Sequence, residues 1–522
     1  MKLAVAVFLG ALALAPAAQA VTFSAAVPSG RALSQLAGAD TALVSIEADP
    51  RAERLLRAAG GTRVAAPLGI WELSGSTAAR LVPQLERLGA LRSAEPSRSR
   101  DALVRFTDPL ATPELGYHLY AVGADQVEPP GPGFPITILD SGIDLGHPDF
   151  AGRPDTFALN PQDVDRDDQG AYHGTTVGST AAAAVNGVGA EGIYPLAAVR
   201  TFDLADLSDS SVIAGIAAAV RAGPSVINLS LGGSSASRAE YEAIQFAVGS
   251  GSLVVAASGN ELEDGNPTLF PASYPHVLTV GAVDREGNSS VFSSTSTALD
   301  IVAPGEDIPL QHPTDADLFA LESGTSFAAP IVAAAAAWVR TVRGPMSPTQ
   351  LADLLRDSAT DIDEPGFDER TGFGLLSIPA ALAAPIPRND PQEPNDEVRQ
   401  VIAGGLFRAA KPLVSSRFAA ALDATEDPAD VYRVSVPKNQ KLTVRVTPTA
   451  DVGVSLLEPG TKPGSSRRIA ISDRAGRSAE TVTWTNRGRG AAVIYLQVEL
   501  GTRGGIANPG YAVALTRAAA PR

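Results

Sequence analysis

Phe134-Pro135-Ile136-Thr137-Ile138-Leu139-Asp140-Ser141-Gly142 is a short apolar run that stops abruptly at a carboxylate, a hydroxyl and a glycine. A β-branched run of this length without regular apolar/polar alternation reads as a strand buried on both faces. The carboxylate then stands where the strand ends. In parallel sheets covered by helices, ligands and reacting groups collect at the carboxyl ends of strands. The same texture recurs on the C-terminal side, at Leu196 to Thr201, Val226-Ile227-Asn228-Leu229, Leu253 to Ala257 and Val277 to Val280. Ser210 to Arg221 and Arg238 to Ser250, between these runs, have helix length. The alternation predicts an α/β fold, a parallel sheet with helices on both faces, over residues 106 to 386.

The flanks read differently. Leu43 to Glu47 is a strand candidate, and Asp49 with Pro50 offers an N-cap and first helical residue for a helix through Ala59, closed by Gly60-Gly61. A second strand from Arg63 to Leu73, a helix capped by Ser76 and a strand from Leu91 to Pro96 complete a small α/β unit within residues 21 to 105. Beyond Leu382, Pro385, Pro387, Pro391 and Pro394 mark a linker. Val431 to Val436, Leu442 to Val446, Thr481 to Thr485, Ala492 to Leu500 and Tyr511 to Thr516 then alternate between turn residues, predicting an all-β sandwich over 387 to 522.

At the other end, Lys2, the apolar run Leu3 to Leu14 and the small-residue site Ala18-Gln19-Ala20 have the layout of a cleaved secretory signal, residues 1 to 20. The expectation is a secreted, extracellular protein with no membrane association once the signal is removed. The 522 residues carry 57 acidic and 41 basic side chains, a formal charge of −16, and such a field repels phosphate backbones, so nucleic acid is excluded as a partner. There is no cysteine, which removes disulfides, thiolate nucleophiles and cysteine-based zinc sites together.

Three segments of the central region place a reactive side chain beside glycine at the edge of an element. Asp140 ends a strand. His173, in His173-Gly174-Thr175-Thr176-Val177-Gly178, opens a small-residue helix, and it is one of only five histidines, with His118, His147, His276 and His312. Ser326, in Gly324-Thr325-Ser326-Phe327-Ala328-Ala329-Pro330, stands at a helix start where free N–H groups favour negative charge. Each alone also reads as a turn residue, a structural histidine or an N-cap. Together they supply what a serine needs in order to attack a carbonyl: an imidazole to take its proton, and a carboxylate to fix the imidazole tautomer.

These blocks, in the order Asp, His, Ser, resemble the three signatures of the subtilisin-like serine proteases, whose chain order the order here matches. The resemblance extends to Asn228-Leu229-Ser230-Leu231-Gly232-Gly233 and Ala256-Ala257-Ser258-Gly259-Asn260. It implies a serine endopeptidase acting on peptides or proteins through an acyl-enzyme, with no required cofactor. By it, Asn260 joins the backbone N–H of Ser326 in holding the oxyanion. Ser230, Leu231 and Gly232 would pair with extended substrate, and Ala257, Ser258 and Gly259 would wall the pocket before the scissile bond. Glu261 at that pocket would favour basic residues, and Leu269 would narrow its floor.

Asp149, in Gly146-His147-Pro148-Asp149-Phe150, with the Asn186 to Gly192 loop, resembles a structural calcium site of the family, while Asp163, Asp165, Asp167 and Asp168 read as a solvated acidic loop. The sequence departs from the family at Thr176 and Gly178, where a second histidine and an alanine are usual, and Leu115 to Asp125 lacks an expected tryptophan. The unit before residue 105 resembles the family's inhibitory propeptide, an intramolecular partner, with Arg98-Ser99-Arg100 in the stretch where it would be cut. Glu393-Pro394-Asn395-Asp396 followed by Asp430-Val431-Tyr432 resembles β-sandwich modules appended to secreted bacterial peptidases. Two rival readings of the fold are a catalytically silent binding protein and an esterase or peptide ligase using the same acyl-enzyme.

Overall fold

The computed structural model describes residues 33, 36–39, 41–65, 68–96, 107–162, 172–311, 319–390, 393–402, 412–413, 417–424, 426–462, 467–501 and 509–520. The expected signal, Arg98-Ser99-Arg100, His312 and the acidic run Asp163, Asp165, Asp167 and Asp168 lie outside the described residues. The chain divides into two compact units, Met1–Leu103 and Val104–Arg522.

In the first unit, strands β1 (Thr41–Ile46), β2 (Thr62–Ala65), β3 (Ile70–Ser74) and β4 (Leu91–Pro96) form an antiparallel sheet in the order β2-β3-β1-β4. The single strand expected over Arg63 to Leu73 is two strands, β2 and β3, paired as a hairpin. Asp49 caps the helix Pro50–Ala58 by accepting from Arg51 N at 2.7 Å. The second helix, Gly75–Arg87, is capped by Ser74 rather than Ser76, because the Ser74 hydroxyl is the one that meets the Thr77 N–H, at 3.3 Å. Trp71 is buried beneath the unit's core leucines and valines.

The second unit opens with a seven-stranded parallel sheet built from β5 (Ile136–Asp140), β6 (Thr156–Ala158), β7 (Val199–Asp203), β8 (Val226–Leu229), β9 (Leu253–Ala257), β10 (Val277–Val283) and β11 (Ile301–Pro304). Their order is β11-β10-β9-β8-β5-β7-β6. Successive strand residues divide between two cores, which is why the sequence shows no alternation. Ile136, Ile138, Val255 and Ala257 pack with the long helix Thr325–Arg343, whereas Leu139, Ile227, Leu229 and Val254 pack with the helices Asp209–Ala222 and Arg238–Gly249. A fully buried valine or leucine contributes about 1.5–3 kcal/mol relative to exposure. β5 lies between β7 and β8, and from it the chain adds strands first on one side and then on the other, so Asp140 ends a strand at the point where the order reverses. Among the described residues, one helix, Thr325–Arg343, is long and apolar enough to cross a membrane; here it forms the buried spine of the core.

A hairpin of β12 (Ile308–Gln311) and β13 (Phe319–Glu322) leads into that helix. The C-terminal part holds β14 (Arg417–Ala421), β15 (Ala429–Val436), β16 (Gln440–Pro448), β17 (Val452–Leu457), β18 (Arg468–Ser472), β19 (Glu480–Thr485), β20 (Ala492–Leu500) and β21 (Gly510–Ala519). They form two antiparallel sheets, β14-β21-β16-β19 and β15-β20-β17-β18, which share one core of Val434, Val444, Val454, Leu496 and Val513. β17 was not among the expected strands. Its six residues are all buried, so it lacks the alternation that marks its neighbours.

Candidate active site

Asp140, at the end of β5, is almost fully buried, and its Oδ1 accepts from Ser141 N at 2.7 Å and from His173 Nδ1 at 2.8 Å. A carboxylate can only accept, so Nδ1 carries the proton and Nε2 keeps its lone pair. The neighbouring Asp140 charge holds the His173 imidazole above its usual range against the opposing effect of burial, and Glu322 at the end of β13 adds to the rise. The His173 side chain is 33% exposed, so part of it faces solvent. It begins the helix His173–Ala182, which approaches β5 closely enough that a Cβ on Gly174 would lie 2.2 Å from the Gly142 carbonyl. Gly178, where the family usually has alanine, is tight for the same reason: a Cβ there would meet Ile143 Cδ1 at 2.8 Å.

Ser326 lies in the first turn of the helix Thr325–Arg343, and the ring of the next residue, Phe327, is 6.0 Å from the His173 ring. The Ser326 hydroxyl does not donate to His173; it rests on the Ser230 carbonyl at 3.5 Å. The Ser230 hydroxyl in turn donates to the Ser326 carbonyl at 2.8 Å and accepts from Asn228 Nδ2 at 3.0 Å, so Ser230 positions the serine backbone as well as lying on the expected substrate edge.

Asn260 is exposed, but its carbonyl end is fixed. Oδ1 accepts from Thr325 N at 2.9 Å and from Thr325 Oγ1 at 3.0 Å, and Thr325 Oγ1 accepts from Gly259 N at 3.1 Å. This leaves Asn260 Nδ2 without an acceptor among the described residues. Gly324 has φ 154° and ψ 155°, a conformation open essentially to glycine alone. The point a Cβ on Gly324 would occupy is 3.4 Å from Asn260 Nδ2 and 3.7 Å from Ser326 N. Asn260 Nδ2 and Ser326 N therefore lie beside the same face of Gly324. Thr325, which no sequence argument assigned a role, is the residue that orients Asn260. Its only signal in the sequence is adjacency to Ser326.

Leu231 and Gly232 continue past β8, and their backbone groups have no hydrogen-bond partner among the described residues, while Gly233 pairs with Phe270. Ala257 and Ser258 are buried at the end of β9, and the half-buried Gly259 follows. Leu269 crowds Gly259, with Cδ1 2.1 Å from where a Gly259 Cβ would stand. Glu261 Oε2 accepts from Asn260 N at 2.6 Å and from the Ser294 hydroxyl at 3.4 Å.

At Asp149, where the resemblance implies calcium, both carboxylate oxygens are buried without a hydrogen-bond donor. Asp149 is fully buried beside His147 Nδ1 at 3.5 Å, and burial raises its carboxyl above the usual range. The adjoining loop is tied by hydrogen bonds of its own. Asn186 Oδ1 accepts from Val188 N at 2.9 Å, and Asp108 accepts from Asn186 N at 3.0 Å and Gly187 N at 2.6 Å.

A family model described as the subtilase family matches residues 131–374. Subtilisin from Bacillus pumilus is 34% identical over 252 residues, 47% of this chain and 90% of that relative. Subtilisin amylosacchariticus from Bacillus subtilis subsp. amylosacchariticus is 35% identical over 252 residues, 47% of this chain and 65% of that relative. Against the latter, as against subtilisin J from Geobacillus stearothermophilus, the chain spans just under two thirds of the relative's length. Among solved structures, fervidolysin from Fervidobacterium pennivorans, described as a keratinolytic enzyme related to subtilisin, is similar at TM-score 0.49 and 21% identity, covering 87% of this chain and 76% of that one.

Proposed function

Because the chain belongs to the subtilase family, we propose that it is a serine endopeptidase whose nucleophile is Ser326, with His173 as general base, Asp140 as its orienting carboxylate and Asn260 with Ser326 N as the oxyanion donors. The observation that carries this reading is the 2.8 Å bond from His173 Nδ1 to Asp140 Oδ1, which leaves Nε2 as the proton acceptor. In the resting geometry the Ser326 hydroxyl is held by the Ser230 carbonyl, so attack begins when it leaves that acceptor for His173. The proton then moves to Nε2, Oγ bonds to the peptide carbonyl carbon, and the carbonyl oxygen, now negative, is held by Asn260 Nδ2 and Ser326 N. Return of the proton from Nε2 to the leaving amine releases the first product and leaves an acyl-enzyme, which water hydrolyses by the same steps.

The unpaired backbone of Leu231 and Gly232 supports main-chain pairing of an extended substrate there. The Asp…His…Ser blocks favour peptide hydrolysis over a silent binding role, and the test is direct. A fluorophosphonate probe should label the wild type and fail to label Ser326→Ala; a folded wild type that resists the probe defeats the reading. Ester hydrolysis or aminolysis outpacing peptide hydrolysis would reassign the acyl-enzyme to the esterase or ligase alternative.

The signal-like segment supports export, and the small α/β unit of residues 41–96 supports an inhibitory propeptide. N-terminal sequencing of the secreted, active protein should give a start close to Arg98–Arg100.

A further inference from the structure

The linker and the first turn of the sandwich bring four acids together far from Ser326. Asp390, Glu393, Asp427 and Asp430 each contribute a carboxylate oxygen, and these oxygens all lie within 4.8 Å of one another. Oxygens at 2.3–2.6 Å from one calcium ion can be no farther apart than about 5 Å, so the four fit one coordination shell. The group is buried: the Glu393 side chain is 4% exposed, Asp427 7% and Asp430 0%.

Their hydrogen bonding is incomplete in a particular way. Asp430 accepts from Asn395 Nδ2 at 2.5 Å and from the Tyr511 hydroxyl, and Asp390 Oδ2 accepts from Ala421 N at 2.5 Å. Asp390 Oδ1, Glu393 Oε1, Asp427 Oδ1 and the neutral amide oxygen of Asn395 are buried and have no partner. Among the described residues, none of the four acids is paired with a lysine or arginine. Buried oxygens left without donors, converging from two segments, need a cation to offset their desolvation. All donors are hard oxygens, which suits calcium; magnesium keeps several of its waters and suits a dry site poorly.

The same acids touch the parallel-sheet module. His276, the residue before β10, places Nε2 2.9 Å from Asp396 Oδ1 and 3.7 Å from Glu393 Oε2, and its backbone N donates to Glu426 Oε2 at 2.5 Å. We propose that Asp390, Glu393, Asp427 and Asp430 hold one divalent cation of the calcium type, and that the ion ties the sandwich to the parallel-sheet module through Glu393, His276 and Asp396. The ion fixes the linker and the start of β15 relative to each other. Through Glu393 and its neighbour Asp396, the fixed linker is held on His276.

The test uses the full chain carrying Ser326→Ala to prevent self-cleavage, stripped with a chelator and titrated calorimetrically with calcium chloride. One calcium should bind, Asp427→Asn and Glu393→Gln should each weaken it by about tenfold or more, and Asp149→Asn should leave it unchanged. Scanning calorimetry should show the two modules unfolding together with calcium and separately with the chelator. In His276→Gln the ion should still bind while the transitions separate. No binding at millimolar calcium, or wild-type affinity in both Asp427→Asn and Glu393→Gln, overturns the site. A thermogram indifferent to the chelator overturns the tie. Zinc binding tighter than calcium and lost in His276→Gln would also overturn the assignment, moving the ion to His276, Glu393 and Asp396.

Discussion

Two sets of buried carboxylates in one unit are handled in opposite ways. Asp140 Oδ1 is met by a backbone N–H and an imidazole while its Oδ2 is buried without a donor, so one base answers one acid. At the junction, Asp390, Glu393, Asp427 and Asp430 face one another with three oxygens unmatched, and burial with Asp430 alongside pushes Asp390 up to about 8. A single acid beside a base is a device for steering one proton. Four acids that share only one nearby base among the described residues, His276 at 3.7 Å from Glu393, call for a positive charge from outside the chain. The backing elements differ as well: Asp140 is set by one strand and one helix entrance, whereas the junction draws on a linker, a sandwich strand and a loop of the parallel sheet.

The sharpest way to break this contrast is Ser326→Ala. Peptidase turnover should fall by about 10⁶-fold, the size that removing the serine has in subtilisin itself, with calcium binding intact. Turnover surviving that change would mean that the Asp140 site is as structural as the junction. Asn260→Ala should cost about 10²- to 10³-fold in kcat with little change in KM, as the corresponding change does in subtilisin. Thr325→Val removes the hydroxyl that bonds Asn260 Oδ1 and should reproduce about a tenth of that loss, again in kcat; an effect on KM alone would contradict an orienting role for Thr325.

The junction responds in stability instead. Calcium at about 100 times its dissociation constant should stabilise the stripped chain by about 2.7 kcal/mol, read as a shift in Tm that Asp427→Asn cuts to about half or less.

The smallest effect concerns pH. A general base must be neutral, so activity falls as pH drops through the His173 pKa. Asp140 and Glu322 raise that pKa, which moves the acid limb to higher pH. Glu322→Gln removes one raising charge, so the acid limb of kcat/KM should move to lower pH by about a few tenths of a unit, as expected for a partly solvated charge. The same sign governs stability: protonated His173 stabilises the fold fully below its unfolded pKa, and that contribution disappears as pH rises through the folded value. A limb that stays put, or moves upward, would show that Glu322 does not act on His173.

Much of the parallel sheet was legible because each strand is a brief apolar run bounded by turn residues. β8 and β9 match the expected residues, and β5, β7 and β10 differ by a few at their ends. The misses have physical causes. Ser76 has the right chemistry for a cap, but helical geometry begins one residue after Ser74, so only the Ser74 oxygen reaches a free N–H. β17 is buried on both sides and gives no period. The EPND segment was visible as a module boundary, but its site was not, because Asn395 and Asp430 are 35 residues apart and His276 and Asp396 are 120 apart.

The order of elements, the identity of the reacting groups and the acidic, cysteine-free composition follow from the chain alone, since propensity, turn chemistry and charge are local properties. The tertiary structure decided which way the Asn260 amide faces, where the Ser326 hydroxyl rests, and that four acids from separate segments share one buried space. Each of these depends on distances between residues remote in sequence. Those distances set the electrostatic cost of a buried charge and the partner that offsets it.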